Sequence, residues 1–257
     1  MDLKLQNKIV LVTGSSKGIG FQIAKSYLEE GSKVIITSRK DKNLNNAQNI
    51  LEKLNYKNRY ILKKVDFTKE KSIKELKQFL NKKKINLDIL INNLGNGKGY
   101  KDKIPDIKIF TKSLDVNFKS AVMTSKIFID SLVKNKGQIV FVSSIVSLEI
   151  LEAPIEYSIS KTAINAFSKS ISIKYGSKIR INTVVPGNIF FKDGTWDKKL
   201  KLNKNKVMEY INKNVPQKKF GMPEDVANLI LFLTSDKANF INGSTIVIDG
   251  GQNKSFY

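Results

Sequence analysis

Short apolar runs alternate along the chain with longer segments in which apolar residues recur every three or four positions. Residues 8–13 (KIVLVT) form a continuous, largely β-branched run, the pattern of a parallel strand buried on both faces. Residues 18–30 then take up helical spacing and stop at Gly31. The same alternation predicts strands over residues 33–38, 60–65, 87–92, 138–143, 180–185 and 245–248. It predicts helices over 43–54, 69–81, 111–134, 157–174 and 223–234, the last with Pro223 in its first turn and acids just after it. Residues 188–217 carry no clear period and read as a long irregular stretch. Strand–helix repetition with buried strands predicts an α/β fold. The expected form is one domain over residues 1–257, a doubly wound, Rossmann-like parallel sheet with helices on both faces. Such sheets hold ligands beyond the carboxyl ends of their strands, which makes 188–217 the expected substrate loop, or lid.

Composition then narrows the chemistry. The 257 residues include no Cys and no His, which excludes disulfides, thiolate nucleophiles, histidine triads and nearly every zinc site. No metal is expected, and acid–base work near neutral pH must fall to Tyr, Lys, Asp or Glu with a shifted pKa. No run of about 18 apolar residues occurs, so no transmembrane helix is predicted. The N-terminus leads straight into the first strand without a cleavage pattern, and a cytoplasmic protein is expected. Basic residues outnumber acidic ones 45 to 23, for a formal charge of +22. Only Arg39, Arg59 and Arg180 are arginines, whereas a nucleic-acid reader favours the guanidinium fork. Lysine is spread over the whole chain among Asn and Ile, which reads as compositional bias, and no specific nucleic-acid partner is expected. The charge still favours anionic ligands.

The first strand and first helix are joined by Thr13-Gly14-Ser15-Ser16-Lys17-Gly18-Ile19-Gly20. Gly14 suits a tight turn, Gly18 a close approach of backbone to a pyrophosphate, and Gly20 the packing of helix on strand. With a buried strand before it and a helix after it, the loop predicts dinucleotide binding, although its spacing is G-x-x-x-G-x-G. The second strand ends Thr37-Ser38-Arg39-Lys40, with no acid before Asp41 to hold a ribose 2′-hydroxyl. Arg39 and Lys17 suit a 2′-phosphate, so NADP(H) is favoured over NAD(H).

Tyr157 and Lys161 form a Y-x-x-x-K, which on a helix places both heads on one face. Eight tyrosines in a lysine-rich chain make a chance match unsurprising, and a second one occurs at Tyr60 and Lys64. That pair lies in a strand-like run with Ala47 thirteen residues upstream, whereas Tyr157 has Ser144 at the same offset, at the end of the strand QIVFVSS. Ser144 and Tyr157 are therefore expected to converge where ligands bind.

At this point the chain resembles the short-chain dehydrogenase/reductase family over essentially its full length, including the 3-oxoacyl-acyl-carrier-protein reductases. The resemblance rests on TGSSKGIG at residues 13–20, Asp66, Asn92-Asn93-Leu94-Gly95, Asn117, Ser144, Tyr157, Lys161, Pro186-Gly187 and the terminal NGSTIVIDGG. It implies that Tyr157 is the general acid in carbonyl reduction and the base in reverse. Lys161 would lower the pKa of Tyr157 and bond the nicotinamide ribose. Ser144 would donate to the substrate oxygen where charge develops, and Asn117 would hold a water that links Lys161 to solvent. For the cofactor the resemblance adds Asp66, Phe67, Asn93, Pro186, Gly187 and the backbone of Ile189 to the glycine loop. Leu94 departs from the alanine usual in the family and places a larger side chain beside the adenosine.

The substrate is less legible. The resemblance to carrier-protein reductases implies an acyl-carrier-linked carbonyl and a basic docking face, for which Lys134, Lys136 and Lys178 are candidates. Against that stands the loop containing Gly194-Thr195-Trp196-Asp197 and seven lysines between 192 and 213. Similar loops occur in reductases of surface-sugar pathways, where a Trp face stacks on a sugar; Trp196 can equally pack as a lid hydrophobe. The glycine-rich residues 92–99 could shape the pocket entrance. The remote alternative is a non-catalytic NADP- or nucleic-acid-binding module. The resemblance also implies a homotetramer built on long helices and C-terminal strands, which suits apolar faces within 113–134 and 163–174.

Overall fold

The fold is described from a computed structural model over residues 2–97 and 103–255. Seven strands form one parallel sheet: β1 (Ile9–Val12), β2 (Lys33–Ser38), β3 (Tyr60–Lys64), β4 (Ile89–Asn92), β5 (Gln138–Val142), β6 (Arg180–Pro186) and β7 (Thr245–Ile248). Their order is β3-β2-β1-β4-β5-β6-β7, so the chain winds outward from β1 in both directions. Every pairing is parallel, which puts all the carboxyl ends on one edge. The order reverses between β1 and β4, the switch point at which sheets of this kind hold ligands.

Alternate residues of each strand feed two cores. Val10, Val12, Val34 and Ile36 pack with α1 (Gly18–Glu29), α2 (Asp41–Lys53) and α9 (Pro223–Thr234) on one face. Leu11, Ile35, Leu90 and Phe141 pack with α3 (Glu70–Lys82), α5 (Ser120–Lys134) and α6 (Ile155–Tyr175) on the other. Two of the three arginines cap helix ends. Arg59 donates to Leu28 O in the last turn of α1, at 2.8 Å, and Arg180 donates to Leu233 O and Ser235 O at the end of α9, at 2.7 and 2.9 Å.

The predicted helix over 111–134 starts earlier and is not uniform. It runs as α4 (Ile107–Leu114), a π-turn at Asp115–Lys119, and then α5. Asp106 sets the early start by accepting from Lys108 N at 2.8 Å. Helix α6 also begins before Tyr157, immediately after Pro154. The larger difference lies at 188–217, which is not irregular: it contains α7 (Thr195–Leu202) and α8 (Lys204–Asn214). Val207 and Ile211 are the buried anchors of α8, and the lysines and asparagines around them dilute the helical period. Among the described residues no helix is long and apolar enough to cross a membrane.

The glycine loop is locked to the sheet through Thr37, which is fully buried. Its hydroxyl donates to Val12 O at 2.8 Å and accepts from Gly14 N at 3.1 Å. Ser15 completes the lock: its hydroxyl donates to Val12 O at 2.7 Å and accepts from Thr37 N at 2.9 Å. Thr37→Val keeps the shape and removes both hydroxyl bonds. Chemical denaturation is expected to show a loss of about 1–3 kcal/mol, against no loss if backbone contacts alone hold the loop.

Candidate active site

The cradle at the end of β1 needs its glycines for two different reasons. Gly14 and Gly18 take φ of +64° and +58°, a left-handed conformation that other residues adopt at a cost. Gly20 has no room for a side chain, since a Cβ there would lie 2.6 Å from Gly14 O and would also strike Asn93 Nδ2. That Asn93 amide donates to Thr13 O and Gly14 O at 3.0 and 3.3 Å, tying the loop after β4 to the glycine turn. Helix α1 opens at Gly18 with no side-chain cap, which leaves its first-turn N–H groups, including those of Gly18, Ile19 and Gly20, without an intrahelical partner, as an anion site needs. Ser16 is half-buried and Lys17 exposed beside them. Leu94 packs on the turn, its Cδ1 3.0 Å from where a Gly14 Cβ would sit. Lys98 and Gly99, the end of the glycine-rich stretch, lie outside the described residues.

These features fit a dinucleotide, and the end of β2 bears on which one. Arg39 is exposed and, among the described residues, is the one arginine without a hydrogen bond to protein. Asp41, the first acid after β2, is paired with Lys64 at 2.6 Å. Asp66 follows β3; burial works against its ionisation, but hydrogen bonds from the Thr68 hydroxyl and N–H, helped by Lys69 and Arg39, hold its carboxyl below the usual range. Phe67 and Ile189 are core side chains, so only their backbone is free to meet a ligand. Pro186 ends β6, and Gly187 N donates to Ile248 O at 3.0 Å, against Asp249, where a Cβ would not fit.

Ser144, Tyr157 and Lys161 come together past the ends of β4 and β5. Burial pushes the Tyr157 hydroxyl above its ordinary pKa, and the neighbouring Ser144 side chain opposes that rise. Lys161 is one turn further along α6 and only 3% exposed. Its ammonium donates to Val142 O at 2.8 Å and lies 5.7 Å from the Tyr157 ring centre. Burial pulls its pKa from an ordinary 10.5 to about 8. Ser143 secures the helix, donating to Lys161 O at 3.2 Å. The other Y-x-x-x-K pair, Tyr60 and Lys64, spans β3, and its lysine serves the ion pair with Asp41.

Asn117 lies in the π-turn and is almost fully buried. Its carbonyl oxygen accepts from Asn96 N at 2.7 Å, and its amide donates to Ser113 O and Asn96 O at 3.0 and 3.2 Å. The side chain thus clamps the loop after β4. A Cβ at Gly95 would lie 3.1 Å from Lys161 Nζ and 3.2 Å from Asn117 Oδ1, so the two groups flank that glycine. A π-turn has no simple sequence signature, so this clamp was not foreseeable from spacing.

The Trp196 ring stacks on Tyr210 at 5.6 Å, tilts against Phe220 at 5.3 Å, and has Lys199 Nζ 4.6 Å from its centre. It packs against α8. Sequence reading also missed a bridge that fastens this helix. Gln252, buried after β7, accepts from Asn188 Nδ2 at 2.5 Å and donates to the Tyr210 hydroxyl at 3.2 Å. Nothing in the local sequence signals that link.

The chain is similar to known proteins over nearly its whole length. A family model described as Enoyl-(Acyl carrier protein) reductase matches residues 14–253. The 3-oxoacyl-[acyl-carrier-protein] reductase of Buchnera aphidicola subsp. Acyrthosiphon pisum is 32% identical, over 97% of this chain and 98% of the relative. The 7alpha-hydroxysteroid dehydrogenase of Paraclostridium sordellii is also 32% identical, over 97% of this chain and 93% of its own. Among solved structures, L-sorbose reductase from Gluconobacter frateurii, complexed with NADPH and L-sorbose, superposes with a TM-score of 0.92 at 26% identity, covering 100% of both chains.

The buried Lys161 sets a measurable pH dependence. Below about pH 8 the folded chain holds an ammonium that burial penalises, and the penalty fades as pH rises from 8 towards the ordinary 10.5. Lys161→Met removes the charge and leaves Val142 O without its partner. At pH 7 the variant is expected to be more stable than the parent by about 2 kcal/mol. That margin should shrink between pH 8 and 10.5. A margin independent of pH in denaturation curves would contradict the burial of the charge.

Proposed function

The chain belongs to the short-chain dehydrogenase/reductase family, and on that premise we propose that it is an NADP(H)-dependent oxidoreductase that reduces a carbonyl to a secondary alcohol at neutral pH. The observation that carries this reading is the pairing of Tyr157 with the buried Lys161 ammonium on one helix, 5.7 Å from the ring centre, just past the end of β5 and with the glycine cradle alongside. The nicotinamide, when bound, supplies the hydride. Gly14, Ser16, Lys17, Gly18, Ile19, Gly20, Asp66, Phe67, Asn93, Pro186, Gly187 and Ile189 would hold the dinucleotide. Ser144 orients the carbonyl oxygen by hydrogen bonding, and Tyr157 delivers the proton to it. Burial favours the protonated hydroxyl of Tyr157, the form a proton donor needs. The Lys161 ammonium, charged below about pH 8, then stabilises the phenolate left behind. Asn117 keeps the loop beside Lys161 in place.

The NADP(H) preference is supported by an uncommitted Arg39 and by the pairing of Asp41 with Lys64. For the substrate, the first reading is a 3-oxoacyl group on an acyl carrier, because the matching family model and a full-length relative carry those names. Lys134, Lys136 and Lys178 lend it no support from geometry. They precede β5 and β6, at the opposite end of those strands from Tyr157. The second reading is a sugar or similar polar ketone, favoured by the likeness to L-sorbose reductase over both full chains. In either case residues 1–257 act as one domain with 188–217 as the lid, and the assembly is a homotetramer. Exposed Ile155, Ile159 and Ile173 on α6, with Phe240 and Val247 near the edge strand β7, supply apolar faces for it. The set of Asn117, Ser144, Tyr157 and Lys161 argues against a non-catalytic binding module.

Arg39→Asp is expected to weaken NADPH binding at least tenfold and to leave NADH nearly unchanged; equal losses in a binding titration would remove the 2′-phosphate assignment. Tyr157→Phe should keep dinucleotide affinity and lose turnover by about 10²-fold or more. Retained turnover would overturn the mechanism. NADPH oxidation with acetoacetyl-CoA, acetoacetyl-carrier protein and a panel of keto-sugars separates the substrate readings. Turnover that rises with the carrier supports the first, and activity confined to sugars supports the second.

A further inference from the structure

The loop that leaves β6 is pinned to the segment around Gly221 as far as Phe190. Phe190 N donates to Gly221 O at 2.8 Å, and Gly221 N donates to Asn188 O at 3.0 Å. The next residue, Phe191, turns its ring onto the cofactor cradle. A Cβ at Gly18 would lie 2.7 Å from Phe191 Cε2 and 3.0 Å from its Cζ. The other side of the ring borders Gly194, where a Cβ would be 2.9 Å from the same two atoms. Phe191 is thus wedged between the glycine of the first helix and the residue that opens α7.

Two further observations concern what the ring is attached to. Asp193, between Phe191 and Gly194, has φ of +62°, a left-handed turn uncommon for a residue other than glycine. Its N–H donates to Asp197 Oδ2 at 2.8 Å, which fastens that turn to the first turn of α7. Trp196 is in the same turn and stacks on Tyr210 of α8, so displacement of the ring is passed to the aromatic packing of the lid.

Gly18 is where the backbone must come close to a pyrophosphate, and an apolar ring now covers that approach. The two cannot share the space. We propose that Phe191 is a positioning residue that couples dinucleotide binding to the substrate lid: the diphosphate displaces its ring from Gly18, and the ring carries the Asp193 turn and α7 with it. The substrate side of the site is therefore arranged only after the cofactor is seated. This inference rests on the reading of the chain as a dinucleotide-dependent enzyme.

Trp196 is the single tryptophan of the chain, so its emission reports on the lid without a label. The test uses the full chain and NADP⁺, whose binding is measured separately by equilibrium dialysis. In the parent, saturation with NADP⁺ is expected to change Trp196 emission. Phe191→Ala should bind NADP⁺ at least threefold more tightly, because nothing competes for Gly18, and should lose most of the emission change. Phe191→Leu, which keeps an apolar wedge, should restore a large part of it. NADP⁺ that binds the parent without altering its emission would overturn the coupling and leave the enzyme reading intact. So would an equal emission change in Phe191→Ala, which marks direct quenching by the ligand. Failure of the parent to bind either NADP⁺ or NAD⁺ would overturn both.

Discussion

Lys161 brings an ammonium group into a setting with 3% exposure and one hydrogen-bonding partner, the carbonyl of Val142. Burial lowers its pKa to about 8, which leaves it charged at neutral pH at a cost to the folded chain. That cost has a use only if a negative charge develops nearby, and Tyr157 is the group placed to develop one. The surrounding structure serves this arrangement. Ser143 fixes the helix backbone at Lys161, Gly95 leaves space beside the ammonium, and Asn117 holds the loop that contains Gly95. Tyr157 is itself pushed towards its protonated form, the form that the proposed proton donor needs.

The parallel sheet makes this convergence possible. With every strand pointing the same way, the glycine turn after β1, the Arg39 end of β2, Asp66 after β3, Asn93 after β4 and Ser144 after β5 all reach the same edge. Residues distant in sequence are then joined by short polar contacts. Thr37 locks the glycine turn to β2, and Asn93 locks it to the loop after β4. Three strand ends hold the glycine turn, whereas α7 and α8 are held by aromatic stacking and the Gln252 bridge.

Much of this was legible from the sequence because it depends on local pattern. Buried strands announce themselves as unbroken apolar runs, and the glycine turn by a strand before it and a helix after it. The true Y-x-x-x-K was separable from the one at Tyr60, because a helix brings residues four apart together and a strand such as β3 does not. What escaped depends on tertiary contact. The two lid helices were hidden by lysine and asparagine around sparse anchors such as Val207 and Ile211. The π-turn at Asn117 has no spacing of its own, and the partners of its amide come from Asn96 and Ser113. The packing of Tyr210 and Phe220 against Trp196 likewise joins residues that are apart in sequence.

The central claim is that Tyr157 is the proton carrier and that Lys161 tunes it. Ultraviolet titration of tyrosinate, taken as the difference between the parent and Tyr157→Phe, isolates this one hydroxyl. In the free protein it should ionise above its ordinary pKa of 10. With NADP⁺ bound it should ionise lower by about one pH unit or more, and Lys161→Met should abolish that drop. A Tyr157 hydroxyl that ionises at the same pH with and without NADP⁺, or that drops equally without Lys161, would contradict the assignment.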